Sequence, residues 1–427
     1  MINYITAKKI LKKSKIKMKD ELIGSLKSLN RICSKSIYSP SNYPAGNNSA
    51  FDGYAIKSDD TKNFNRKKYK KFKILKSIAA GDNPKIKNVK KFESVELMTG
   101  ALLPKQFDAV IPVEKIKFYP NSKKKYILLN KRVKKHTNIR SLGSDYKKKD
   151  LIISAGTLIK SSHILAFKSL GIKNIFVKKK PKILFYSTGN EISEKNKINN
   201  WKVRNSNSHY IKSLSNNFLF NFVDGGILRD KDSFFLKKIL TKKILSKADI
   251  IITSGAVSAG KYDFIPEVIK KLKLSNYFKN VAIRPGKPIL FAKFKNKEKS
   301  FFGLPGNPLS TAACFRFFVY PYLLNILGVK PEKPFKARLK NNFRKKNNFT
   351  RFLKCKLTST RNGNFIVEVL RGQESYKIKS FVKSNTWGVF VAGKSTFKKG
   401  QLINCYNNLE TNNNTFYLNF FIVVLYI

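Results

Sequence analysis

The sequence predicts an α/β domain joined to β-rich domains, and three observations carry that expectation. A chain of 427 residues exceeds what one hydrophobic core holds. From Lys182 to Ser310 strand-like and helix-like runs alternate, the pattern of a doubly wound sheet. From Ser49 to about Asp145, and again from about Lys330, the chain shows short strand-like runs separated by turns. Four domains follow: residues 1–40 with 146–178, a helical and linker domain; 41–145, β-rich; 179–329, α/β; and 330–427, a small C-terminal β-barrel.

The first 40 residues alternate apolar and lysine positions at helical spacing and end in "YSPSNYPAGNN", a Pro/Asn/Gly boundary. Strands are expected in "FKILKSIAAG", "SVELMTGALLP", "DAVIPVE" and "KYILLN". A helix from Ser161 to Leu170 stops at Gly171, and Lys182 to Ser187 reads as a buried parallel strand. Next come "NFVDGGIL", "ADIIITSG", "PILFAKF" and "FFGLPGNPLS", with helices through "SNSHYIKSLSNN", "SFFLKKILTKKIL" and "FIPEVIKKL" between them. "RFLKCKLTS" and "FIVEVL" begin the barrel.

Charge and composition exclude several function classes. The 87 Lys and Arg against 25 Asp and Glu are spread along the whole chain, which reads as a composition bias rather than a nucleic-acid surface. Four dispersed cysteines give no metal knuckle or disulfide framework, and the expected compartment is reducing. With three histidines, a His-based triad or zinc site is not expected, so the chemistry falls to carboxylates, hydroxyls and lysines. No export signal is read at the N-terminus, and "FYLNFFIVVLYI" is shorter than the roughly 20 residues that span a bilayer. It reads as a final buried strand.

Three strand ends of the α/β domain carry loops expected to face one cleft, since ligands of such sheets bind at the carboxyl edge. "STGNE" supplies Thr188, Gly189 and Glu191; "TSGAVSAGKYD" supplies Ser254, Gly255, Ser258 and Asp263; "GLPGNPLS" supplies Pro305, Gly306, Asn307, Pro308 and Ser310. Glycine lets backbone N–H groups approach an anion closely. "AIRPGKP" adds Arg284 and Lys287 on a proline-stiffened turn suited to an oxyanion. Glu191 and Asp263 would repel a phosphate unless a divalent cation lay between, which points to Mg²⁺. Asp52 in "NNSAFDGYAI" and Thr99 in "LMTGALLP" have no partner legible within their own domain, and make sense if that domain closes over a cleft.

In this order, "NNSAFDGYAI", "LMTGALLP", "DAVIPVE", "NIRSLGSD", "STGNEI", "TSGAVSAGKYD", "RPGKP" and "GLPGNPLS" resemble the molybdopterin molybdenumtransferase family, MoeA and the E-domain of gephyrin, up to about Arg371. The resemblance implies an elongated multidomain chain with a MogA/MoaB-like molybdopterin-binding domain, forming a cytoplasmic homodimer whose active site lies between subunits. It implies adenylylated molybdopterin and molybdate as substrates, Mg²⁺ as cofactor, and release of AMP. By motif, Asp52, Glu191 and Asp263 become catalytic or metal-positioning acids, with Asp230 and Thr99 beside them. Arg140 and Asp145 belong to the facing motifs, while Arg284, Lys287, Pro305 and Pro308 shape the oxyanion and pterin side. Molybdopterin adenylyltransferase is a further expected partner; neither a specific nucleic acid nor a membrane is. The sequence departs from the family at Phe51, Asn190, Ala256 and Glu374. These departures define the alternative, a degenerate scaffold or partner of the adenylyltransferase, against which the retained acids argue.

Overall fold

Asn3 accepts the Thr6 N–H with its side chain at 2.8 Å and so starts the helix Tyr4–Lys13, which ends on Lys12 and Lys13 where cations favour the helix dipole. The computed structural model describes residues 1–64, 68–121, 123–215, 219–229, 248–257, 274–295 and 297–409. Tyr4, Ala7 and Leu11 form the buried stripe of this helix. They pack far along the chain: the Tyr4 ring meets Phe317, Phe318 and Phe352 edge-on, and Ile2 bridges Val281.

Helical spacing does not continue to residue 40. Asp20–Gly24 is a strand, paired antiparallel with Asn174–Lys178. The period there is two: Ile23 packs toward Ile175 and Val177, while Leu22 points outward. Ile37–Tyr38 pairs with Leu151–Ile153. The helix Ser161–Ser169 seals this core with Phe167, and Gly171, at φ +73°, ends it as read from the sequence.

The β-rich region is a six-stranded sheet in the order Ala109–Pro112, Gly53–Ile56, Glu93–Leu97, Lys70–Ile78, Tyr126–Leu129, Lys117–Tyr119. Tyr54 and Ile56 face one core and Ala55 the other, so this short strand is buried throughout. Gly53 lies against its neighbour so closely that a Cβ would sit 2.1 Å from the Ile111 carbonyl oxygen.

The α/β sheet runs Asn221–Leu228, Lys182–Thr188, Ile250–Ser254, Ser300–Leu304, Leu290–Lys293, Ser275–Lys279. Its first four strands are parallel, and Leu290–Lys293 runs antiparallel to both of its neighbours. The central strands Ile250–Ser254 and Ser300–Leu304 are buried at every residue, as a sheet covered on both faces requires. The helix Ser206–Ser215 and a continuous helical run, Pro308–Cys314, the π-helical Phe315–Val319 and Tyr320–Ile326, pack on one face. The helices read at 233–245 and 264–272 lie outside the described residues.

The C-terminal region is a closed five-stranded barrel. Thr350–Ser359 pairs with both Phe365–Val369 and Thr386–Phe390, and Phe335–Leu339 and Leu402–Asn407 complete the ring. Buried Arg316 joins barrel to α/β domain, bonding the Asn407 carbonyl at 2.8 Å and Glu332 at 2.7 Å. The apolar tail from Phe416 to Ile427 lies outside the described residues, among which no helix is long and apolar enough to cross a membrane.

Candidate active site

Parallel register sets the predicted loops side by side, for Ser187 pairs with Ser254, Ser254 with Leu304, and Thr188 with Leu228. The loops are then bonded to one another. Gly189 N–H donates to the Leu228 carbonyl, Gly255 N–H to that of Leu304, and the Thr188 hydroxyl to that of Ser254, at 3.0, 2.9 and 3.0 Å. Gly255, at φ +107°, leaves no room for a side chain, since a Cβ would lie 2.5 Å from the Thr188 carbonyl oxygen. A Cβ on Gly306 would lie 3.6 Å from the Gly255 Cα. The side-chain amide of Asn207 closes the group, donating to Ser254 Oγ and to the Gly306 carbonyl at 2.7 Å each. Thr311, fully buried, donates to the Pro305 carbonyl at 2.6 Å.

Thr188, Gly189, Ser254, Gly255, Pro305 and Gly306 thus form one cluster. Pro308 opens the following helix, and Ser310 is buried one turn in. Asn207 and Thr311 are cluster members that the sequence reading missed. The legible signal for Asn207 is an asparagine in "RNSNS", at the start of a helix behind the strand ends.

The strand Leu290–Lys293 runs against its neighbour with Leu290 opposite Gly303, so the preceding turn carrying Arg284 and Lys287 reaches the same sheet edge. Both side chains are exposed. Gly286 at the turn's centre, φ +103°, packs on Cys314, whose thiol is pushed well up by complete burial and stays protonated. Ile283–Arg284 pairs with Thr350–Arg351 of the barrel. Burial and then the Arg284 charge hold the Arg351 guanidinium below its ordinary range, and its buried Nε has no hydrogen-bond partner. Two guanidinium groups side by side, one with a donor unused, make this edge electropositive; Arg351 was also missed in the sequence.

Glu191 sits on a loop held by cations. Arg229 Nη1 collects the carbonyls of Gly189, Asn190 and Ile192 at 3.0, 3.1 and 2.9 Å, and Lys202 takes that of Asn190 at 2.7 Å. The Glu191 carboxylate folds over Gly189, where a Cβ would meet its Oε2 at 2.3 Å. Nearby Glu194, with its pKa lowered by His209 and then Asn205, belongs to a separate polar group through buried Asn205 and Ser187.

In the β-rich domain the reading that Asp52 and Thr99 lack partners is corrected: they are each other's. Thr99 gives its backbone N–H and its hydroxyl to Asp52 Oδ1 at 2.6 and 2.7 Å. These bonds, the hydroxyl's first, hold the Asp52 carboxyl below the usual carboxylate range. The pairing was invisible because 47 residues separate the two. Backbone bonds bring the third motif in: Asn48–Ser49 pairs with Ile139–Arg140, Ala50 N–H donates to Asn138, and Asn47 Oδ1 accepts from Leu142. Arg140 and Asp145 are exposed on this segment, and Asp145 N–H donates to the Tyr43 carbonyl. Among the described residues, each of these bonds of the Asp52 cluster joins residues between Tyr43 and Asp145.

Asp230, Ser258 and Asp263 lie outside the described residues. Among the described residues no three His, Cys, Asp or Glu side chains gather into a metal site. The hard-oxygen donors Asp52 and Glu191 are of the kind Mg²⁺ takes, but a site on them needs further oxygen from Asp263, a second subunit or a substrate phosphate.

Three family profiles match in order: "MoeA N-terminal region (domain I and II)" over residues 2–171, "Probable molybdopterin binding domain" over 185–325 and "MoeA C-terminal region (domain IV)" over 336–407. A molybdopterin molybdenumtransferase of Haemophilus influenzae is 30% identical over 402 residues, 92% of this chain and 95% of that protein. One from Staphylococcus aureus is 31% identical over 381 residues, 88% of each chain. A molybdopterin biosynthesis MoeA protein from Pyrococcus horikoshii superposes with a TM-score of 0.82 at 26% identity, covering 96% of this chain and all of that one.

Proposed function

This chain belongs to the molybdopterin molybdenumtransferase family and so to molybdenum cofactor biosynthesis, and from that premise we propose that it takes adenylylated molybdopterin and molybdate and releases AMP in a Mg²⁺-dependent reaction. Water cleaves the phosphoanhydride and AMP leaves; the two dithiolene sulfurs then bind the molybdenum of molybdate as one of its oxygens leaves as water with the two thiol protons. The observation that carries this reading is the cluster of Thr188, Gly189, Ser254, Gly255 and Gly306 at one sheet edge, with Arg284 and Lys287 alongside. The Gly189 and Gly255 N–H groups are spent on strand carbonyls, so the cations Arg284 and Lys287, at an edge the glycines keep clear of side chains, are what suit the phosphates of the adenylate and the oxyanion of molybdate. When bound, Mg²⁺ would offset the repulsion between these anions and Glu191, with Asp52 and Asp263 as further oxygen donors.

Asp52 carries both Thr99 bonds on one oxygen, which leaves Oδ2 for a cation or a water. Because the Asp52 cluster closes on its own domain, we assign it to the cleft of a second subunit, in a cytoplasmic homodimer with two shared sites. The test is direct: purified protein with adenylylated molybdopterin, molybdate and Mg²⁺, followed for AMP and for molybdenum-loaded cofactor. Absence of AMP with fresh substrate refutes the reading.

A further inference from the structure

We propose that Lys354 is a positioning residue for the anion cradle: from inside the barrel its ammonium winds the segment Gly372–Lys377 into a fixed loop, and that loop seats Ser375 on the "GNP" turn of the α/β domain. The inference rests on the cradle's role as proposed above and adds a residue from another domain to it.

Lys354 lies on the strand Thr350–Ser359 opposite Trp387 and is 2% exposed. A buried ammonium is costly unless its three protons find acceptors. Here they find carbonyls, those of Gly372, Lys377 and Glu374 at 2.7, 3.1 and 3.3 Å. Glu374, the acid that faces it, pairs instead with Lys377 at 3.0 Å. A leucine or methionine would fill this place without the cost of burying a charge, so what the ammonium adds is the convergence of three carbonyls on one point. The loop is held from both sides: Gln373 exchanges hydrogen bonds with the Lys354 backbone at 3.0 and 2.8 Å, and Ser380 donates to the Gly372 carbonyl at 2.6 Å.

The loop's outer tip leaves the barrel. The Ser375 carbonyl accepts the Leu309 N–H at 3.2 Å, and its hydroxyl accepts from Asn307 Nδ2 at 3.1 Å. Asn307 follows Gly306, whose carbonyl Asn207 ties to Ser254. A path of hydrogen bonds and two peptide steps, Glu374 to Ser375 and Asn307 to Gly306, therefore links the ammonium to the strand ends. Glu374 and Lys377 are the charged groups facing Lys354, and burial brings its pKa down to about 8. Above that pH the amine keeps two protons for three carbonyls.

The test is hydrogen–deuterium exchange of peptides covering 370–380 and 305–314, with 93–97 of the β-rich domain as control, in wild type, Lys354→Met and Lys354→Arg. Lys354→Met should speed exchange in both peptides about tenfold and leave the control unchanged, and Lys354→Arg should restore most of the protection. Wild-type exchange in 305–314, corrected for the intrinsic rate, should rise above pH 8. In the transferase assay Lys354→Met should raise KM for adenylylated molybdopterin about tenfold with kcat changed less than threefold. If 370–380 loosens while 305–314 stays protected, Lys354 serves the barrel alone and the proposal fails. Should Lys354→Met not fold, Ser375→Ala removes only a half-buried hydroxyl; unaltered exchange in 305–314 would then overturn the proposal. Exchange requires no turnover, so an inactive wild type with the coupling intact would refute the transferase chemistry and not this link.

Discussion

Thr99 places two donors on a single oxygen of Asp52, at 2.6 and 2.7 Å, where the start of the strand Gly53–Ile56 lies beside the end of its antiparallel partner Glu93–Leu97. The depressed carboxyl pKa that results means that the stability from this pair is complete above the unfolded-state value and is lost as pH falls through the folded one. Thr99→Val removes the larger contributor, the hydroxyl, so the Asp52 carboxyl should move up toward its ordinary value of about 3.9. Carbon-detected NMR titration of labelled aspartate reads this; an unmoved pKa would show that the backbone N–H alone sets it.

Asp52 is exposed and its backbone stays paired, so Asp52→Ala should leave the fold intact while AMP release is abolished. Glu191→Gln should also be inactive. If the two residues act across subunits, mixing the mutants creates heterodimers with one intact and one doubly damaged cleft, and random exchange should recover up to about a quarter of wild-type activity. No recovery, with exchange proven by tagged pull-down, would place both residues in one subunit's cleft.

Replacing Arg284 and Lys287 together by Gln should raise the molybdate concentration needed for half-maximal AMP release by about tenfold, roughly 1.4 kcal/mol. Both side chains are exposed, so the double variant should unfold at the wild-type denaturant midpoint. An unchanged molybdate requirement would make them ordinary solvated charge.

Two adjacent residues give opposite stability effects. Gly255→Ala forces a Cβ against the Thr188 carbonyl at φ +107° and should cost about 2 kcal/mol or more. Ala256 already sits at φ +52°, so Ala256→Gly should stabilise by about 1 kcal/mol. Denaturant unfolding compares the two, and a destabilising Ala256→Gly would contradict the backbone argument. Glu374, another of the departures, has no positive φ and carries no such strain.

Legibility followed the range of the interactions. Strands such as Lys182–Thr188 and Ile250–Ser254 were readable because burial on both faces writes a continuous apolar run into the local sequence. The three glycine loops were readable for a related reason, as each follows such a strand. Asp20–Gly24 was not, since five residues cannot separate a period of two from one of 3.6, and its partner lies about 150 residues on. The Thr99 bonds to Asp52, the Asn207 brace and the Ser375 contact join residues 47 or more apart, and chemistry of that kind leaves no spacing to detect.

The helix Tyr4–Lys13 finds its aromatic partners at Phe317, Phe318 and Phe352. A ribosome adding 5–20 residues per second delivers the last of these roughly 20–70 s after the first turn of that helix leaves the exit tunnel. For that interval a lysine-studded amphipathic segment has no core to enter, and it is then open to chaperones, proteases and acidic surfaces. Docking of this helix is thus a late event that depends on residues made long after it, and it is completed where Ile2 reaches Val281.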